Sequence, residues 1–405
     1  MDFMYHYSDE QDQFRKEVRV WVDAIPDEMR EPIDQRDATD EMYWWWREKH
    51  KETAAKGWLY PSAPKEYGGG GLTTEQSSII QEEFERGGVP YIAGRLNPIQ
   101  FLISALLVWG TEDQKRKFLV PILNGTDVAW EKMTEPQSGA DNANYQGTAI
   151  RDGDDWILNG VNCFTSGRGP APDWLYGPML TDPDAPRHRN LGFFMIPVPT
   201  PGLEIRSMHL VHGSEQHFDF LDNVRVPGDH LIGGDHQGWQ VVGTVYEHEH
   251  GGRGHAFFKD EVVDNLVSYV KDTKQNGEAL SSDPLVRQET AGAYLDAHVQ
   301  SLLNGRTHWM YNEKAEMTYE GSLNGIHRSD YSERNTYRVR GIMGMGALLG
   351  TREPAAPHGG AQGVSQIVGC GSNNIGKLIV ARRIGISRTK ERAAPTPATA
   401  AGQAA

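Results

Sequence analysis

Apolar residues in the first part of the chain recur at helical spacing. Ser8-Asp-Glu-Gln11 has the form of a capping box, and Phe14, Val18 and Trp21 behind it fall on one helical face. A second helix is predicted through Tyr43-Trp-Trp-Trp46 to about Ala55. Pro61, Pro64 and Gly68-Gly-Gly-Gly71 then break the period, and Thr73 or Thr74 is a suitable N-cap for a helix over Glu75–Arg86. Pro98 opens an apolar helix reaching Trp109-Gly110. Thr111-Glu-Asp-Gln114 caps the next, which ends near Leu123-Asn-Gly125.

At Trp130 the pattern shortens to strand-like runs. Thr148–Leu158 holds a turn at Asp152-Gly-Asp154 between two such runs, a hairpin signal. Further runs follow at Trp174–Tyr176, Leu191–Ile196, Leu203–Ile205, His217–Phe220 and Asn223–Val226, separated by Gly and Pro. From Gly238 to about Arg388 the helical period returns, with Val241, Val242 and Val245 opening a long helix. The expected fold class is therefore α+β: a helical domain over 1–129, a middle domain over 130–236 built as a small antiparallel β-barrel or sandwich, and a helical bundle over 237–392. The tail 393–405 has nothing to bury and reads as disordered. There is no internal repeat.

The helix after the strands carries Glu249, separated by one residue from Gly251-Gly252. Each glycine costs a helix interior about 1 kcal/mol, so two together suggest close packing there. A carboxylate beside bare helix suits proton removal from a bulky ligand; the plain alternative is a solvated glutamate.

Composition narrows the class. With 38% hydrophobic residues, 11 Trp, 15 Tyr and 12 Phe, the 405-residue chain can bury a large core. A net charge of −15 argues against nucleic acid or an anionic membrane as partner. Two cysteines, Cys163 and Cys370, give no disulfide framework and suit a reducing compartment. The first ten residues lack a basic segment and an apolar run, and no run is long enough to span a membrane, so the expected location is the cytoplasm.

Several motifs fail on spacing. His248-Glu249-His250 lacks the second histidine four residues on that would share a helix face, since Gly252 stands there; no metal site is expected. Gly344-Met-Gly346 has no strand before it and no third glycine. No Walker A sequence or Gly-x-Ser-x-Gly elbow occurs.

Met133-Thr-Glu-Pro-Gln-Ser-Gly-Ala-Asp141 resembles the flavin-binding signature of the acyl-CoA dehydrogenase family. Other pieces resemble the family in the same order: Gly68–Gly71, Asn159-Gly-Val-Asn-Cys-Phe-Thr-Ser166, the spacer Thr181–Pro186, Val224-Arg-Val-Pro227 with Leu231-Ile-Gly233, and Ile379–Arg383. The likeness covers roughly residues 10 to 390 and implies the family's helix–barrel–helix fold and FAD as cofactor. It implies that Met133, Thr134, Gly139 and Ala140 line the flavin ring and pyrophosphate. Phe164, Thr165 and Ser166 would lie beside the ring, with Ser372 and Asn374 contributing from the C-terminal part. Ser138, Glu247 and His250 fall at positions implied to meet substrate. Glycine at 139 would let backbone approach phosphate, and a hydroxyl near the ring would polarise the hydride acceptor.

Family members carry the base at one of two places. At the loop place this chain has Cys370, in Val368-Gly-Cys-Gly-Ser-Asn-Asn-Ile375, and a thiolate would attack rather than remove a carbon-bound proton. At the helix place it has Glu249. The implied reaction is α,β-dehydrogenation of an acyl-CoA thioester, with Glu249 taking the α-proton and the β-hydride passing to the flavin. Hydrogen-bond donors to the thioester carbonyl would acidify the α-carbon. A base on this helix resembles the arrangement for bulky, branched or steroid-derived acyl groups. Electron-transferring flavoprotein is the implied acceptor.

Departures from the pattern collect in the C-terminal third. His250 stands where an Arg is usual, Lys274-Gln-Asn-Gly277 replaces an Arg-x-x-Phe-Gly that reaches the neighbouring subunit's flavin, Gly341 replaces a Gln, and Asn374 replaces a loop Gln. The chain thus resembles one member of a heteromer in which two unlike acyl-CoA dehydrogenase-like chains share a flavin, with a homotetramer as the other option. The competing functional readings are a non-catalytic or half-site partner subunit, and a flavin monooxygenase of the same fold.

Overall fold

A computed structural model describes residues 7–30, 38–89, 99–139, 141, 143–167, 169, 171–210, 215–250, 260–313, 315, 318–348 and 373–387. The helical N-terminal part begins with α1 (Asp9–Asp23), α2 (Asp40–Ala55), α3 (Thr74–Arg86) and α4 (Ile99–Trp109). After these, α5 (Glu112–Gln114) runs through a π turn over Lys115–Leu119 into α6 (Val120–Leu123). Ser8, Thr73 and Thr111 each close a reciprocal capping box, with Gln11, Gln76 and Gln114, so three helix starts are set by local chemistry.

The middle domain is one sheet: β1 (Ala129–Glu131), β2 (Thr148–Asp152), β3 (Asp155–Thr165), β4 (Trp174–Leu180), β5 (Leu191–Pro197), β6 (Leu203–His209), β7 (Glu215–Pro227) and β8 (Leu231–Ile232). Its strands run in the order β6-β7-β3-β2-β4-β5-β8, with β1 beside β4. The path is open, so the expected barrel does not close among the described residues. Nor is it wholly antiparallel: β1 and β2 both run parallel to β4. The β2–β3 hairpin turns at Gly153-Asp154 as expected. The two runs His217–Phe220 and Asn223–Val226 form one strand, because Asn223 takes a left-handed φ of 52° and a bulge absorbs the extra residue.

The chain then forms α7 (Gly238–His250), α8 (Glu261–Asp272), α9 (Pro284–Asn312), α10 (Glu320–Met343) and α11 (Asn373–Arg383). The helical run is broken by a hairpin of β9 (Lys274–Gln275) and β10 (Glu278–Ala279), whose turn residues Asn276 and Gly277 both have positive φ. Such a pair is the favoured two-residue hairpin turn, a signal outweighed in the sequence by the helical period on either side.

Val241, Val242 and Val245 of α7 are fully buried. They share one core with Leu102, Ala105 and Leu106 of α4 and with Tyr176, Phe193 and Met195 of the sheet. This wedging of α7 between helices and sheet positions the site. A second core lies inside the middle domain, and a third joins α8 to α9. Among the described residues no helix is long and apolar enough to cross a membrane.

Candidate active site

Between β1 and β2 the chain leaves the sheet and lays out the Met133–Asp141 motif. Glu135 and Ser138 exchange two backbone N–H···O bonds of 3.2 and 3.0 Å, closing a tight turn around Pro136-Gln137. The buried carboxylate of Glu135 accepts from the N–H of Gln146 at 2.7 Å and of Gly147 at 2.8 Å. One side chain thereby ties both ends of the loop together. Ser138 is buried and its hydroxyl donates to the Asp141 carbonyl at 2.7 Å, while the Asp141 carboxylate pairs with Arg187. An added Cβ on Gly139 would meet nothing within 4 Å, so the backbone there is open to an approaching group.

The end of β3 runs alongside. The Thr134 carbonyl accepts from the Cys163 N–H at 2.9 Å and from Asn162 Nδ2 at 3.2 Å. Met133-Thr134 and Phe164–Ser166 are therefore neighbours. Thr165 is turned inward, donating its hydroxyl to buried Asp219, so only its backbone is available to a ligand. Ser166 Oγ accepts from Gln216 Nε2 at 3.1 Å. Gly167 is required by Trp130: an added Cβ would stand 2.1 Å from the indole, which in turn stacks on His217 at 4.4 Å.

These surroundings fit a flat aromatic cofactor with a polar edge. Phe164 holds a φ of 60°, a conformation that costs a bulky residue of order 1–3 kcal/mol, yet the residue is 52% exposed. A strained, uncovered aromatic is what a stacking ligand would use. The Thr134 hydroxyl forms no side-chain bond to protein among the described residues, and Gly139 leaves the backbone bare where a phosphate would need it.

A chain of side chains joins this face to α7. Tyr145, buried, donates to Met133 Sδ at 3.7 Å and hydrogen-bonds Tyr246 of α7; burial first, then Tyr246, holds its phenol well above the ordinary range. Trp109 Nε1 donates to Thr244 Oγ1 at 2.9 Å, fixing the other side of α7 to α4. Position 249 is three residues beyond Tyr246 and seven beyond Val242, on the same helical stripe.

The structure thus brings Met133-Thr134 alongside Phe164–Ser166, and α7 reaches Met133 through Tyr246 and Tyr145. Glu247, Glu249 and His250 end α7, and their side chains lie outside the described residues, as do Ala140, Gly251, Gly252, Cys370 and Ser372. Asn374 stands on α11, which packs on α10 through Asn373 and Asp330 and through Gly376 against Ile326. Sequence reasoning passed over Lys132, Asn162, Asp219 and Tyr145. Strand alternation held the signal for two of them: Lys132 is two residues from buried Trp130, and Asp219 lies between inward-facing His217 and Leu221.

Known proteins align with this arrangement domain by domain. Acyl-CoA dehydrogenase N-terminal, middle and C-terminal domains match residues 8–126, 131–220 and 236–385. Acyl-CoA dehydrogenase IpdE1 of Mycobacterium tuberculosis is 28% identical over 293 residues, 70% of this chain and 73% of the relative. Acyl-CoA dehydrogenase FadE29 of the same organism is 32% identical over 243 residues, covering 59% and 60%. The solved structure titled Tcur3481-Tcur3483 steroid ACAD superposes with a TM-score of 0.80 at 25% identity, covering 96% of this chain and all of the other. The ChsE4-ChsE5 complex from Mycobacterium tuberculosis shares the fold at a TM-score of 0.77 and 23% identity, covering 95% and 100%. With all three domains matched in order around this site, the chain belongs to the acyl-CoA dehydrogenase family and is an oxidoreductase of that class.

Proposed function

We propose that the chain catalyses FAD-dependent α,β-dehydrogenation of a bulky, branched or steroid-derived acyl-CoA thioester, with Glu249 removing the α-proton. The observation that supports this reading is the Met133–Tyr145–Tyr246 link, which ties the helix carrying position 249 to the motif that begins at Met133. Met133, Thr134, Gly139, Phe164 and Ser166 would hold FAD, which when bound supplies the hydride acceptor. A water-poor pocket closed by bound substrate would raise the carboxyl pKa of Glu249 toward the range useful for a base. The likeness to a structure titled as a steroid ACAD supports the substrate class. The expected acceptor is electron-transferring flavoprotein, and the expected compartment the cytoplasm.

A specific observation favours assembly with an unlike chain. Where the family lends residues to a neighbour's flavin, Lys274–Gly277 is a short exposed hairpin turn. A tetramer whose flavins are completed by a second acyl-CoA dehydrogenase-like chain fits that loss. In the test, the purified chain, alone and with such a partner, is titrated anaerobically with acyl-CoA. A yellow protein that bleaches supports catalysis; one colourless in both forms makes it a non-catalytic subunit. Glu249→Gln should keep the bound flavin and lose bleaching by at least a thousandfold.

A further inference from the structure

We propose that Lys132 is a positioning residue that raises the electron affinity of the flavin site, and that Asp219 opposes it from the other contact strand. This rests on the reading of Met133–Ser166 as a flavin face and deepens it.

Lys132 is fully buried one residue before Met133. Its ammonium donates to Asn162 Oδ1 at 3.2 Å, the Pro178 carbonyl at 3.2 Å and Met179 Sδ at 3.0 Å, and no carboxylate pairs with it directly among the described residues. Asn162 Nδ2 in turn donates to the Thr134 carbonyl, so one amide separates the cation from the motif. The sheet is shaped for this side chain. At Gly177 an added Cβ would stand 2.0 Å from the Lys132 carbonyl oxygen and 3.0 Å from its Cγ.

Asp219 mirrors it beneath the second segment. It too is fully buried; one carboxylate oxygen accepts from the Thr165 hydroxyl, between Phe164 and Ser166, and the other has no hydrogen-bond partner among the described residues. Desolvation brings Lys132 down to about 8 and Asp219 up to about 6; the three bonds that the Lys132 nitrogen donates use all the hydrogens of an ammonium, and Asp219 accepts from Thr165 as a carboxylate does. An interior that only needed filling would be served as well or better by apolar side chains, since buried ions lose hydration that their partners seldom restore. Here each ion sits directly behind one of the two segments that face the ligand.

A site that receives a hydride gains one negative charge. In a low-dielectric interior a nearby cation stabilises that state and an anion destabilises it, and neither needs to touch the reacting atoms. Opposite signs behind the two segments therefore give two opposed controls on one equilibrium.

The full chain, with its partner chain if one is needed for FAD uptake, is loaded with FAD and its midpoint potential read by dye equilibration at pH 7. Lys132→Met should make reduction at least tenfold less favourable, a shift of about 30 mV downward for a two-electron couple, and Asp219→Asn should shift it upward by a similar amount. A purely structural role predicts no shift or shifts of one sign. Either result, with FAD bound stoichiometrically and its visible spectrum unchanged, overturns the proposal alone. If Lys132→Met does not fold, Asp219→Asn decides by its sign. Failure of the wild-type chain to take up FAD in either form, followed by flavin fluorescence quenching, overturns the flavin-face reading and this inference together.

Discussion

The middle domain and the C-terminal bundle both bury polar side chains, but to different ends. In the middle domain, Lys132, Glu135, Asn162, Thr165 and Asp219 come from separate parts of the sequence and converge on two short segments. In the bundle, Gln300 bonds Asn304 and Asn324, Asn324 bonds Thr307, and His327 meets Gln300, so all the bonds lie within or between α9 and α10. The first network fixes a site; the second fixes the register of one helix pair. Outward, the contrast reverses. The sheet's apolar residues are mostly covered, whereas α9 leaves Leu295, Val299 and Leu302 exposed at helical spacing. A contiguous apolar stripe of that kind marks a surface made for covering, consistent with the tetramer proposed above.

The strongest way to break that contrast is Trp130→Ala. The indole is fully buried between His217 and Gly167, and its loss should cost about 3–5 kcal/mol in denaturant unfolding. A cost under about 1 kcal/mol would mean that the middle domain is not tightly packed around the site. Next in size is a pH effect at Asp219. Its carboxyl is held at about 6, above the ordinary carboxylate value, so between about pH 4 and 6 the folded chain binds more protons than the unfolded one. Its contribution to stability therefore falls as pH rises through that window and stays lost above it. Asp219→Asn should flatten this slope and gain up to about 3 kcal/mol at pH 7, measured by thermal unfolding across pH.

For the bundle, Gln300→Leu should cost about 1–3 kcal/mol, because Asn304, Asn324 and His327 would each lose a buried partner. An unchanged unfolding midpoint would show that the amide network carries no register. The smallest expected effect on the monomer is Leu295→Lys, within about 0.5 kcal/mol, since the side chain is exposed. Sedimentation should nevertheless show loss of the larger species; an unaltered profile would remove α9 from the assembly surface.

Local chemistry made much of the fold legible. Ser8, Thr73 and Thr111 with their glutamines each announce a helix within four residues, and Val241, Val242 and Val245 mark the buried face of α7 before any contact is known. The parallel pairing of β1 and β2 with β4 was hidden, because it depends on connections that no short window contains. The bulge at Asn223 was read as a strand boundary, since a polar residue in a turn and one in a bulge look alike in sequence. At the candidate site, the resemblance implies that Met133-Thr134 and Phe164–Ser166 belong together, and the two segments are neighbours in the fold. Thr165 was grouped with them, yet its inward hydroxyl follows from strand alternation. A lysine in a half-polar stretch is ordinarily solvated, and only the close approach of β4 to Lys132 at Gly177 shows that this one is not.

Among the described residues the sheet does not close, so it has two margins, and they are treated differently. At β8, Gln114 Nε2 donates to the carbonyls of Asp229 and Leu231, so that rim is capped by a helix residue. At β6, no strand pairs with the outer side among the described residues, and the defence is electrical: Glu204 and Arg206 pair on the exposed face, and His209 meets Glu215 at its end. A sheet rim without such a defence recruits other chains into intermolecular sheets. The colloidal behaviour of the protein at high concentration, and its tolerance of surface redesign, should therefore be governed by this one ribbon.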